Sequence, residues 1–68
     1  MKWVKQSNGF WLAQGKYGNF LVWHERGMWR GRYLSKDGTK FFRMPAKQRI
    51  SEMKEMCEDN AYWEDVAA

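Results

Sequence analysis

Runs of aromatic and β-branched residues alternate with turn signals through the centre of the chain. Residues 20–23 and 29–34 have the composition of strands, which favour such side chains. Gly27 separates these two runs, and the dipeptide Asp37-Gly38 follows the second. Both signals are typical of two-residue hairpin loops, and Asp-Gly favours the type I′ turn. The pattern predicts an antiparallel β-meander around which the rest of the chain is arranged.

Two-residue loops fix the strand register, and the register assigns each side chain to one of two faces of the sheet. One face is nearly all apolar and is the predicted core face: Phe20, Val22, His24, Trp29, Tyr33, Phe42 and Met44. The other, called here the arginine face, mixes charged and apolar side chains: Leu21, Trp23, Glu25, Met28, Arg30, Arg32, Leu34, Phe41 and Arg43. Because a solvated sheet face is usually polar, the arginine face is the candidate working surface.

The first residues of the chain predict a further hairpin. Asn8-Gly9 is another type I′ signal, and it lies between the strand-like segments 3–6 and 10–14. Extending the register assigns Val4, Trp11 and Ala13 to the core face, and Phe10 and Leu12 to the arginine face. The sheet is therefore expected to contain three to five antiparallel strands.

The last third of the chain predicts one helix. Pro45 is expected to end the strand region because proline cannot donate to a β-ladder. Ser51 is the predicted N-cap of a helix that runs to about Asn60, although a start near Ala46 also fits the apolar spacing. Residues 61–68 form an acidic tail, either docked on the sheet or frayed.

These elements predict the α+β class, with one antiparallel meander packed against one C-terminal helix. Residues 1–68 are expected to form a single small domain, in which 1–44 is the sheet, 51–60 the helix and 61–68 the tail.

Composition limits the class of protein. The lone cysteine, Cys57, excludes an internal disulfide and a cysteine-based zinc site, and it is typical of a reducing compartment. No apolar run approaches the roughly 18 residues of a membrane span, and the N-terminus lacks a signal-peptide core. We therefore expect a cytoplasmic protein that does not associate with membranes.

No motif for catalysis, metal or a cofactor is recognisable. His24 is the only histidine and is interpreted as structural, beside Trp29. Gly15, Lys16 and Gly18 lack the spacing and the Ser/Thr of a phosphate-binding loop. We predict a protein that is not an enzyme and binds no cofactor.

The charges are divided along the chain. Residues 1–50 contain eleven of the twelve Lys and Arg residues but only two acids, whereas residues 51–68 contain one lysine and six acids. The sheet is thus expected to be basic and the C-terminal region acidic. The acidic region could repel nucleic acid or fold over the basic sheet and mask it.

Three segments resemble a known arrangement: residues 27–33 with Trp29, the Asp37-Gly38-Thr39 hairpin, and residues 51–58. They are similar to the small domains of AP2 type and of phage integrase arm-binding regions, in which a three-stranded sheet is packed against one helix. The resemblance implies that the exposed sheet face lies in the DNA major groove, with Arg30, Arg32 and Arg43 at the matching positions. The chain also resembles the short orphan proteins that phages encode, which are often inhibitors or adaptors.

The residues themselves indicate a binding surface on the arginine face. Guanidinium groups pair with phosphate, and aromatic rings stack on bases. The candidate residues are Arg30, Arg32, Arg43, Trp23, Lys40 and Phe41. The first hypothesis is therefore a module that binds nucleic acid.

Three alternatives remain open for the same face. The arginines could lie over the aromatic rings on an ordinary solvated surface. The face, or instead Trp63 in the acidic tail, could bind an acidic surface of a host protein, as an inhibitor or adaptor would. It could also be the contact of a homodimer that buries Leu21, Trp23, Leu34 and Phe41, with Glu25 or the tail supplying acidic partners.

Overall fold

The computed structural model describes residues 1–68, which form five strands and two helices. In chain order these are β1 (Lys2–Lys5), β2 (Trp11–Gln14), β3 (Gly18–Glu25), β4 (Met28–Ser35), β5 (Phe41–Lys47), α1 (Ile50–Cys57) and α2 (Asn60–Ala67). Each strand pairs antiparallel with the next, so that the sheet order is β1-β2-β3-β4-β5. The α+β class and the antiparallel meander are confirmed, but the chain has two C-terminal helices and not one.

The centre of the sheet has the predicted register. Glu25 faces Met28 across the β3–β4 hairpin. Arg26 and Gly27 both adopt positive φ, 53° and 77°, as a two-residue type I′ loop requires. On the other side of β4, Tyr33 faces Phe42 as expected. The two faces of β3, β4 and the first half of β5 therefore contain the predicted side chains.

The Asp37-Gly38 turn is of a different type from the one predicted. Gly38 adopts positive φ and Asp37 does not, and the Gly38 N–H donates to the Ser35 carbonyl at 3.0 Å. The loop is four residues long, closed by a pair between Ser35 and Lys40. The Asp37 carboxylate accepts from the Thr39 N–H at 3.0 Å, the Thr39 hydroxyl at 2.7 Å and the Ser35 hydroxyl at 2.8 Å. These hydrogen bonds, the Thr39 backbone bond first, lower the pKa of Asp37 to about 2.

The first hairpin has a three-residue loop, and this shifts β1 by one position. The Gln6 N–H donates to the Phe10 carbonyl at 2.7 Å, with Gly9 at a φ of 88° in the loop between them. Trp3 consequently faces Ala13 on the core side. A shift of one residue exchanges the two faces of a strand. The predicted core position of Val4 is therefore wrong, and Val4 lies on the arginine face.

Pro45 does not end the strand region. It lies within β5, which is an edge strand, where proline is tolerated because no neighbour needs its N–H. The β4–β5 register changes after the pair of Gly31 with Met44, because the next pair joins Trp29 to Lys47. A β-bulge in β5 therefore accommodates the proline.

The helices begin and end at other residues than predicted. Arg49 is at the N-cap of α1 without a side-chain hydrogen bond, so the prediction of Ser51 as the cap is wrong. The helix ends at Cys57, before Asn60. Asp59 then caps α2 by accepting from the Tyr62 N–H at 3.3 Å. The predicted acidic tail is thus a second helix.

Trp63 of α2 is the centre of the core. Its ring stacks on Tyr33 at 4.5 Å between centroids and lies edge-on to Phe20 at 5.1 Å. Its Nε1 donates to the Met56 carbonyl of α1 at 2.8 Å. The buried cluster consists of Phe20, Val22, Tyr33, Met44, Met53, Cys57 and Trp63. Both helices therefore pack on the core face of the sheet.

Two further predictions concern the core. Cys57 is buried as expected, and burial, with the Glu58 carboxylate as a second cause, raises the pKa of its thiol to about 12. His24 lies opposite Trp29 on the predicted core face, edge-on at 5.0 Å between ring centroids, but its side chain is exposed and is not part of the core. Trp29 itself and Phe42 are half-buried against the core.

We expect Trp63→Ala to lower the free energy of unfolding by about 3–5 kcal/mol, since it removes a fully buried indole. Trp63→Phe should lose less and remain measurable if the alanine variant does not fold. The measurement is urea denaturation followed by circular dichroism. Tyr62→Ala, at a neighbouring exposed side chain, is the control. Equal losses at positions 62 and 63 would contradict this account of the core.

We expect acid to remove a contribution of Asp37 to stability. Its folded pKa of about 2 lies below the ordinary value of 3.8, so the carboxylate stabilises the fold above pH 3.8. That stabilisation is lost as the pH falls from 3.8 to about 2. The measurement is denaturant unfolding of wild type and Asp37→Asn at pH values above and below this window. The difference between their free energies of unfolding should shrink as the pH falls. A constant difference across the window would contradict the assignment.

Candidate functional site

The arginine face is covered by neither helix. Its side chains form three rows across the strands, as the observed pairings and contacts define them. The rows are Lys2, Gln14, Asn19, Leu34 and Phe41; then Val4, Leu12, Leu21, Arg32 and Arg43; then Phe10, Trp23 and Arg30. The face is therefore continuous from β1 to β5, and its arginines are confined to β4 and β5.

Five of the six predicted site residues meet on this face: Trp23, Arg30, Arg32, Phe41 and Arg43. Lys40 does not join them, and this part of the predicted surface is wrong. Its Nζ donates to the carbonyls of Val66 and Ala68, at 3.0 and 2.7 Å, on the helical side of the sheet. Lysine in this position satisfies backbone acceptors at the end of a helix.

Arg32 and Arg43 lie directly opposite each other on β4 and β5. The Arg32 guanidinium is 5.2 Å from the centre of the Trp23 ring and 5.8 Å from that of Phe41. No carboxylate lies within 4 Å of either guanidinium group. The one ion pair of the chain joins Arg30 to Glu25. Like charges directly opposite each other destabilise a sheet. The pair thus lacks a counter-charge.

Trp23 is already engaged by its own chain. Phe10 stacks on it at 5.3 Å with an interplanar angle of 9°, and Arg32 contacts it as described. Phe41, by contrast, is 60% exposed and is the most exposed large apolar side chain of the protein. Of the predicted stacking residues, Phe41 is therefore the more exposed to a partner, and Arg32 also lies over its ring at 5.8 Å.

A cavity of about 170 Å³ lies between the arginines. Its lining includes all three of them, together with Trp23 and Glu25. Gly31 and Met44 also line it, and these two residues form the last β4–β5 pair before the bulge. The bulge in the edge strand therefore lies next to the most basic part of the face.

The other half of the face is apolar. Four of the six exposed large apolar side chains of the protein lie there: Val4, Leu12, Leu34 and Phe41. Leu12, Leu21, Leu34 and Phe41 also line a shallow depression of about 320 Å³. A contiguous apolar patch on a surface often marks an interaction site.

The acidic region does not mask the arginine face. Trp63 holds α2 on the core side of the sheet, and Met53 and Cys57 hold α1 there. Glu25 is the only carboxylate of β3, β4 and β5.

The sequence pattern assigned Glu25 to this face but did not predict its contacts with Trp23 and Arg30. The available signal was its spacing of two residues from Trp23, which places both on one side of β3.

No group of three or more His, Cys, Asp or Glu side chains converges anywhere in the structure. Neither helix is long and apolar enough to cross a membrane.

No protein-family model, curated protein or solved structure matches this chain. The geometry of the arginine face is therefore the basis of the proposed function.

We expect Arg43→Glu to raise the free energy of unfolding by about 0.2–1 kcal/mol, because it replaces a repulsive cross-strand pair with an attractive one. The free energy of unfolding of Arg43→Gln, which only removes the repulsion, should lie between those of the wild type and Arg43→Glu. Urea denaturation at low and high salt is the measurement, and the gain should shrink at high salt. The absence of a gain at low salt would show that Arg32 and Arg43 do not repel each other in solution.

Proposed function

We propose that this chain is a small, non-catalytic module that binds nucleic acid through its arginine face. The main observation behind this proposal is the directly opposed pair of Arg32 and Arg43, which has no carboxylate partner. A partner that brings negative charge to this pair relieves their repulsion and supplies the missing counter-charge. Phosphate is well suited, since a guanidinium donates to two of its oxygens at once.

The aromatic contacts of Arg32 support this proposal. Its guanidinium lies against Trp23 and Phe41, which restricts its motion before any partner arrives. A side chain that is already ordered loses less conformational entropy when it binds. Arg32 is therefore prepared to contact phosphate at the surface of the sheet.

The position of the arginines favours double-stranded nucleic acid. All three lie on β4 and β5, the two strands at one edge of the sheet. A two-stranded ribbon fits the major groove of DNA, which is about 12 Å wide. The likeness to AP2-type and integrase arm-binding domains agrees with this docking. On that likeness we also propose that a phage or mobile element encodes the protein.

Cys57 is the basis for proposing the cellular compartment in which the protein acts. The single cysteine is free and buried, and proteins without disulfides are typical of reducing compartments. We place the proposed binding in the cytoplasm.

The second candidate function is that of an inhibitor or adaptor which binds an acidic surface of a host protein. The specific observation behind it is the apolar half of the face, where Leu34 and Phe41 are exposed beside the arginines. A homodimer through the whole face is less well supported. Two copies would bury six arginines against the two Glu25 carboxylates, and unpaired buried charge is strongly destabilising.

We expect the wild-type protein to bind a short mixed-sequence DNA duplex, with an affinity that falls steeply as salt rises. The double variant Arg32→Ala, Arg43→Ala should bind at least about tenfold more weakly, and its salt slope should be smaller by about 2. Fluorescence anisotropy of a labelled duplex across a salt series measures both quantities.

The matched control is Lys36→Ala, Arg49→Ala, which removes the same charge from exposed positions off the face. It should retain most of the affinity. An equal loss of affinity in both double variants would show that the duplex does not bind to this face. No binding by the wild type, even at low salt, would overturn the proposal. A stoichiometric protein complex that Leu34→Ser, Phe41→Ser abolishes would then support the second candidate.

A further inference from the structure

Two nitrogen donors in the cavity between the arginines lie near one oxygen. Trp23 Nε1 donates to Glu25 Oε1 at 3.4 Å, and Arg30 Nε lies 3.5 Å from the same oxygen. Trp23 and Arg30 are direct partners on β3 and β4, so their donors are held by neighbouring strands. The position of Oε1 is therefore a point where an anionic oxygen is bound.

Glu25 satisfies this point poorly. Arg30 Nε is shielded from solvent, yet it makes no hydrogen bond, since its contact with Glu25 is an ion pair without hydrogen-bond geometry. A shielded donor without an acceptor is unfavourable. The Trp23 bond at 3.4 Å is also long for N–H···O. Glu25 therefore satisfies neither donor well.

We propose that this cavity is a phosphate-binding subsite of the arginine face, and that the Glu25 carboxylate occupies it when no nucleic acid is bound. The inference rests on the proposed function and adds to it a defined position for one backbone phosphate. Glu25 acts there as a competitor from the protein's own chain.

The charges around the cavity favour phosphate over carboxylate. Three guanidinium groups line it, and Glu25 supplies a single negative charge. A phosphodiester also carries one negative charge, shared by two non-bridging oxygens; one of them can accept from Arg30 Nε and Trp23 Nε1 while the other faces Arg32 or Arg43. Its negative charge also meets the opposed arginine pair that Glu25 does not reach.

The position of the bulge agrees with this assignment. The β4–β5 register changes between Trp29 and Gly31, beside the cavity. Bulges commonly re-aim a side chain next to a binding site. Here Pro45 and Ala46 of β5 lie opposite Arg30, and Pro45 has no N–H, so no regular ladder pair is formed at Arg30.

The test compares Glu25→Gln with the wild type, using a labelled short mixed-sequence DNA duplex across a salt series. Removal of the competing carboxylate should tighten binding by about two- to fivefold, the range that an exposed ion pair of this kind implies.

The control is Glu55→Gln, which makes the same change in net charge at an exposed position of α1, on the other side of the sheet. It should change the affinity less than Glu25→Gln does. In an Arg30→Gln background, Glu25→Gln should have no more effect than the control. An undiminished effect there would show that Glu25 acts by net charge alone and would overturn the subsite.

A second arm distinguishes a nucleic-acid phosphate from free phosphate. Inorganic phosphate should displace the duplex from Glu25→Gln no better than chloride does at the same ionic strength. Stronger displacement would assign the cavity to free phosphate and overturn the proposed ligand.

The two proposals fail in different ways. If neither the wild type nor Glu25→Gln binds duplex at low salt, the proposed function and the subsite are both overturned. If the wild type binds and Glu25→Gln behaves as Glu55→Gln does, the subsite alone is overturned.

Discussion

The stacking of Trp63 on Tyr33 is the contact on which the rest of the structure depends. The same indole donates to the Met56 carbonyl, so one side chain joins both helices to the sheet. The chain has 68 residues and a core cluster of only seven buried residues, so a tryptophan's large buried area matters more than it would in a larger domain. Because this contact holds both helices on one face, it also leaves the arginine face uncovered. Core packing and the candidate site are thus two results of the same arrangement.

The centre of the sheet is predictable because alternation and loop length agree there. A two-residue loop at Arg26-Gly27 permits one register, and that register separates an apolar face from a basic one. The grouping of Arg30, Arg32 and Arg43 follows from it without any knowledge of the helices. Lys40 shows the limit of reasoning from charge. Position 40 directly precedes β5 and is two residues from Phe42, so the continued register assigns it to the core face, and the structure places it there.

The remaining differences arise where one sequence signal fits two structures. Asn8-Gly9 suits a two-residue loop, but it equally suits a type I turn followed by glycine in a bulge, and the choice exchanges Trp3 with Val4. Asp59 is a good helix N-cap, yet the acidic residues that follow it read as a solvated tail. Whether α2 forms depends on Trp63 finding Phe20 and Tyr33, which are distant in sequence. Local propensity does not contain that information.

The arginine face combines features that a stable solvated sheet would avoid. Its arginines oppose each other across β4 and β5, and a shielded Arg30 nitrogen has no hydrogen-bond acceptor. Its leucines and Phe41 are exposed beside these charges. Each feature is unfavourable in the free protein, and none is needed to hold the core, which lies on the other side of the sheet. Local conflicts that the fold does not require are expected at functional sites. All of these conflicts occur on one continuous face, and most are relieved by a ligand that brings negative charge to β4 and β5. This is the physical reason for placing the function there.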